Sequence, residues 1–159
     1  MQHKPVLIIA AILLAFIVLL GYSVVNWNSQ NIDYYLPVDD CKIDKTNCQV
    51  TLDKHSSIKV NILPRGIPST EKLTVYVEEK GDELDELSIS FEAIEIDTTT
   101  PQYRLYRQTE NSFSGGAFLA ICSLSRQSWI AHLFVKKGNE TWEITFPFSK
   151  QLEEQLPNK

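Results

Sequence analysis

The chain is poor in the groups on which most metal carriers and enzymes depend. Met1 is its one methionine, and it has three cysteines, three histidines and six glycines. The Met-rich clusters that select soft Cu(I) are therefore excluded. No G-x-S-x-G elbow, H-E-x-x-H helix, Gly-rich phosphate loop or paired catalytic carboxylates occur, so no enzymatic reaction is expected. Positive charge is also in deficit, with 15 Lys and Arg against 20 Asp and Glu and a net charge of -5. Binding to a phosphate backbone needs clustered cations to displace counterions, and nucleic acid is set aside on that ground.

What the chain does have is one long run without charge, "PVLIIAAILLAFIVLLGYSVV", from Pro5 to Val25. As a helix it would be about 31 Å long, enough for a bilayer core. It exceeds the apolar region of a cleaved secretory signal, and Gly21 with Ser23 imitates an A-x-A site poorly. Residues 1–25 are thus expected to be a transmembrane signal anchor, the alternative being a cleaved signal. Lys4 precedes the run, whereas Asp33, Asp39 and Asp40 follow it before Lys42. That asymmetry places the N-terminus in the cytoplasm and the remainder across the membrane. Trp27, and Tyr22 with it, is expected at headgroup depth.

Residues 26–40, "NWNSQNIDYYLPVDD", show no amphipathic period and read as a tether. From Cys41 onward the pattern is of short β-branched and aromatic segments. These are "CQVTL", "SSIKVNIL", "KLTVYVEE", "ELSISFEAIEI", "YRLYRQ", "SFSGGAFLAIC", "SWIAHLFVKK" and "TWEITFPF", separated by turn-like clusters. In "KLTVYVEE" Leu73, Val75 and Val77 face one way and Thr74, Tyr76 and Glu78 the other, the alternation of a half-buried strand. Seven or eight such strands predict an all-β domain over residues 41–150, an antiparallel immunoglobulin-like β-sandwich. A five-stranded barrel is the alternative. Residues 151–159 are a C-terminal tail, with a short helical turn at "SKQLEEQL" as the one helix expected here. The acidic "EEKGDELDE" lacks the spacing of a calcium loop and reads as a solvated hairpin tip.

Three cysteines cannot all pair within one molecule. Cys41 and Cys48 enclose the turn-like "KIDKTN" and form the expected disulfide, the alternative being a bond to Cys122 or a redox or metal loop. Cys122 ends the apolar "AFLAIC" and is either a buried small hydrophobe or a soft-metal ligand. His132 shares a face with Ile130 and Phe134 and is either a hydrogen-bonded packing residue or the second ligand. Gly115 and Gly116 suit a bulge or a close backbone approach. Tyr103, Tyr106 and Trp142 are candidate contact aromatics if exposed, and core residues otherwise.

The anchor, the cysteine pair, the "LPRGIP" turn and the stretch "FSGGAFLAICSLSRQSWIAHLFV" together resemble small membrane-anchored bacterial sandwiches of the YtkA-like and FixH-like kind. The frame formed by Phe113, Leu119, Cys122 and Trp129 carries that resemblance, which spans about the last two-thirds of the chain. It implies a protein of the bacterial inner membrane with a periplasmic domain. Such a protein would serve cytochrome oxidase assembly, as an accessory to a respiratory-chain membrane complex, or copper handling. Where those relatives carry methionine this chain has Ile96, Thr98, Phe118 and Gln127, so copper would have to rest on Cys122 and His132. Three classes of function remain: a contact protein, a metal or thiol carrier, and a small sugar- or peptide-binding module.

Overall fold

The computed structural model describes residues 12–19, 31–68, 71–119 and 126–151. The chain divides into two compact units, Met1–Asn31 and Ile32–Lys159. In the first, residues 12–19 are helical with every side chain exposed. Eight residues rise about 12 Å. No described helix is long and apolar enough to cross a membrane. The rest of the Pro5–Val25 run, together with Tyr22 and Trp27, lies outside the described residues.

The second unit is built almost wholly of strands: β1 (Tyr34–Pro37), β2 (Cys48–Thr51), β3 (Ser56–Leu63), β4 (Leu73–Gly81), β5 (Glu86–Ala93), β6 (Thr98–Thr99), β7 (Tyr103–Thr109), β8 (Ser112–Ala117), β9 (Arg126–Lys137) and β10 (Glu140–Gln151). A single 3₁₀ turn, Ile94–Ile96, interrupts the described part of this unit. The strands form one curled sheet in the order β1-β10-β9-β5-β7-β8-β4-β3-β2, with the short β6 added to β5. All neighbours run antiparallel except β1, which lies parallel to β10.

The sheet has two arms because β7 belongs to both. Its first residues, Tyr103–Leu105, pair with β5, and Tyr106 onward pair with β8. A register shift between Arg107 and Thr109 lets the strand bend. Gly115 makes the close approach possible, since a Cβ there would stand 2.7 Å from the Arg104 carbonyl oxygen and 2.8 Å from Leu105 Cδ2. This is the close backbone contact expected of the glycine pair.

Period-two alternation sends one set of side chains from the longer strands into a common core. Leu87, Ile89 and Phe91 of β5, Ala131, Leu133 and Val135 of β9, and Ile144 and Phe146 of β10 enter it from the first arm. Val60 and Ile62 of β3, Val75 and Val77 of β4, and Phe113 of β8 enter it from the second. Each large side chain among them contributes about 1.5–3 kcal/mol by leaving water.

Two expectations about boundaries are corrected. Tyr34–Pro37 lies within the stretch read as a tether, yet it is an edge strand. Tyr34 stacks on Trp142 with ring centroids 5.0 Å apart, and Asp33 exchanges hydrogen bonds with the Thr141 backbone at 2.9 and 2.8 Å. β10 also runs on to Gln151, so the "SKQ" of the expected terminal turn is strand, and residues 152–159 lie outside the described residues. The acidic tip is less solvated than its composition suggests, because Glu79 is buried and ion-paired.

Candidate functional site

The expected disulfide is present. Cys41 and Cys48 are bonded with their Cα atoms 5.8 Å apart, closing the loop that leads into β2. Cys48 is fully buried, and the bond sits against the core. Cys122 lies outside the described residues. Of the apolar run it ends, Ala117 and Leu119 are buried and Phe118 is exposed.

His132 lies on the outer face of the first arm, at the centre of a carboxylate–imidazole–carboxylate row. Its Nδ1 is 2.7 Å from Glu143 Oε1 on β10, and its Nε2 is 2.9 Å from Glu92 Oε2 on β5. Ser90 and Thr145 stand directly across from it on the same two strands, and Phe134 stacks against the ring. The imidazole is only 15% exposed. Ionised carboxylates only accept hydrogen bonds, so both contacts are complete when both ring nitrogens carry hydrogen.

Both ring nitrogens of His132 are engaged by carboxylates. A metal needs donors that converge on one point, and here the two carboxylates take opposite edges of the ring, leaving neither nitrogen free. Among the described residues no group of three or more His, Cys, Asp or Glu side chains is arranged to hold a metal ion. His132 is placed as a clamp between three strands.

Of two further charged clusters, one lies within the second arm and the other ties the two arms together. Arg107 Nη1 donates to Glu79 Oε1 at 2.7 Å, its Nη2 donates to the Leu84 carbonyl, and its guanidinium lies 4.3 Å from the Phe113 ring centroid. The hydrogen bond that Arg107 donates to Glu79, together with the charge of that carboxylate, raises the Arg107 pKa further. Lys137 Nζ donates to Asp53 Oδ2 and Asp82 Oδ2, both at 2.8 Å, and to Ser56 Oγ at 2.9 Å. The Lys137 bond, then the backbone N–H of His55, hold the Asp53 carboxyl down to about 2. At the edge, the hydrogen bond that Tyr34 Oη donates to Glu140 raises the tyrosine's pKa.

The outer face of the second arm carries a cross-strand row with two exposed tyrosines. Cross-strand register sets Asn61 of β3 beside Tyr76 of β4, Tyr76 beside Ser114 of β8, and Ser114 beside Tyr106 of β7. The two tyrosines are exposed, 44% and 62%, with the small Ser114 between them. A groove of about 310 Å³ opens at the Tyr76 end, lined by Asn47, Lys59, Asn61, Leu63, Tyr76 and Glu78. Of the three aromatics considered from sequence, Tyr106 alone is exposed. Trp142 is buried, and Tyr103 packs against the core while donating to the Phe118 carbonyl at 3.1 Å. Tyr76 went unrecognised as a site residue, although its outward phase in "KLTVYVEE" was the available signal.

No protein-family model and no curated protein matches this chain. Among solved structures, the chain is similar to a DUF4785 family protein from Legionella pneumophila at 13% identity and a TM-score of 0.40. The likeness covers 62% of this chain and 29% of that one, so the chain spans well under a third of that protein's length.

Proposed function

We propose that this chain is a non-catalytic contact module of the bacterial cell envelope. In this reading the strands form a two-layer immunoglobulin-like sandwich, held at the periplasmic face of the inner membrane by the Pro5–Val25 run with the N-terminus cytoplasmic. The observation that carries it is the row Asn61–Tyr76–Ser114–Tyr106. Exposed tyrosines on a rigid sheet offer large contact area at small cost in side-chain entropy. Tethering would raise the local concentration of the module, so that even a weak contact at the membrane surface stays occupied.

The respiratory-complex partner implied by the resemblance is one candidate. Its frame residues Phe113, Leu119 and Trp129 are all buried, so they support packing and leave the contact to other side chains. The metal-carrier reading loses support from His132, whose nitrogens are both engaged.

A photo-crosslinking amino acid placed at position 76 or 106 of the full-length chain in its membrane tests the contact reading. Adducts are expected at both positions and absent at Lys136, which is exposed on the first arm. Equal yields at all three positions, or none at 76 and 106, would overturn it.

A further inference from the structure

We infer that the Tyr76–Tyr106 face binds a neutral glycan, lying across β3, β4, β8 and β7 along the row that begins in the groove at Asn61. This names the class of partner for the contact surface above and rests on that reading.

Three features select the ligand. The first is spacing: Tyr76 and Tyr106 are separated by one intervening strand, which puts their attachment points about 10 Å apart. Between them stands Ser114. Two outward-facing rings at that separation suit successive apolar faces of a linear chain of sugar rings, which are flat, rigid and wet at the edges. Tyrosine has the matching character, an apolar ring with a polar tip.

The second feature is charge. Lys59 and Glu78 in the groove are paired with each other at 3.6 Å, and the row itself carries no ionisable group apart from the tyrosine phenols. An anionic ligand would meet Glu78 and a cationic one Lys59. A neutral polyhydroxylated ligand avoids both repulsions, and both groups offer it hydrogen bonds.

The third is Asn61. Its Oδ1 is buried without a hydrogen-bond partner, although the residue lines the groove and stands opposite Tyr76. Buried acceptors are almost always satisfied, and the exceptions call for a donor. Rotation of the Asn61 amide toward the groove would let a sugar hydroxyl beside the Tyr76 ring supply one. The groove volume of about 310 Å³ lies at the small end of ligand sites, enough for one sugar unit with the remainder of the chain lying on the open face. A peptide strand would use backbone hydrogen bonds at a sheet edge, and this face lies inside the sheet.

The test uses the full-length chain in a zwitterionic detergent that carries no sugar. Cellohexaose, chitohexaose and maltohexaose are titrated as neutral probes and a galacturonic acid hexamer as the anionic comparison. At least one neutral hexaose is expected to bind at millimolar concentration or below, with saturation transferred from protein to sugar-ring protons. Tyr76→Ala and Tyr106→Ala should each weaken it by about tenfold, the worth of one aromatic contact. Ser114→Gln, which fills the gap between the rings from the solvent side, should do the same with an unchanged unfolding midpoint. The inference is overturned if none of the three binds, if binding survives all three substitutions, or if the anionic hexamer is preferred. A protein crosslinked at position 106 with no sugar binding would overturn the glycan and leave the contact reading standing.

Discussion

Lys137 and Asp53 are 84 residues apart in sequence and 2.8 Å apart in space, where they join the turn after β9 to the bend between β2 and β3. Lys137 also reaches Asp82 after β4, so one ammonium group fastens three chain reversals.

This pairing makes stability depend on acid. Asp53 is held at about 2 against an ordinary 3.8. A carboxyl whose folded value is depressed contributes stability that is complete above the ordinary value and lost as pH falls through the folded one. The wild-type denaturation midpoint should therefore fall between about pH 4 and pH 2. Asp53→Asn keeps an oxygen for the His55 and Ser56 amides but does not titrate, and its midpoint should fall less steeply. Parallel profiles for the two proteins would show that Asp53 is not the group involved.

Arg107 and Glu79 test a buried ion pair within the second arm. The Glu79 side chain is 4% exposed, and removing its cation leaves a buried carboxylate with only the Leu84 amide as donor. Arg107→Ala should cost about 3 kcal/mol. Because loss of the buried charge relieves that penalty, adding Glu79→Gln should recover part of it, as read by urea denaturation. Strict additivity of the two substitutions would argue against direct coupling.

The clamp on the first arm gives a third prediction. His132→Phe keeps a ring beside Phe134 but leaves Glu92 and Glu143 without their shared donor. A loss of about 1–3 kcal/mol is expected, the cost of unsatisfied partly buried acceptors. Replacing both glutamates by glutamine in the same background should restore some of it. Thermal unfolding indistinguishable from wild type in His132→Phe would mean that the row contributes nothing to strand cohesion.

Loss of the disulfide gives the fourth. Closing the short loop from Cys41 to Cys48 is worth about 2.5 kcal/mol by chain entropy. Reduction, or Cys41→Ser combined with Cys48→Ala to suit the buried site, should lower the melting temperature by several degrees. An unchanged melting temperature in reductant would contradict this contribution.

Much of the second unit was legible because alternation is a local signal. "SSIKVNIL" was read as Ser56–Leu63 and forms that strand, since Ile58, Val60 and Ile62 alternate with polar neighbours. β1 was missed because what makes it a strand is Trp142 and Thr141, more than a hundred residues away, and no period marks four residues that include Pro37. Glu79 was read as solvated because its neighbours are acidic, whereas its partner lies 28 residues on. His132 was placed on the right face, but its role depended on Glu92, 40 residues earlier. Glu143 was accessible in principle: folding "SWIAHLFVKKGNETWEITF" about Gly138 and Asn139 pairs His132 with Thr145 and leaves Glu143 one diagonal away.

Both ends of the nine-stranded path are only four residues long. One of them ends at Pro37, which has no backbone N–H to donate, and the other begins at the disulfide-bonded Cys48. A second copy arriving edge to edge would find too little ladder to extend. The described sheet therefore offers neighbouring copies little open edge along which to fuse into a fibre.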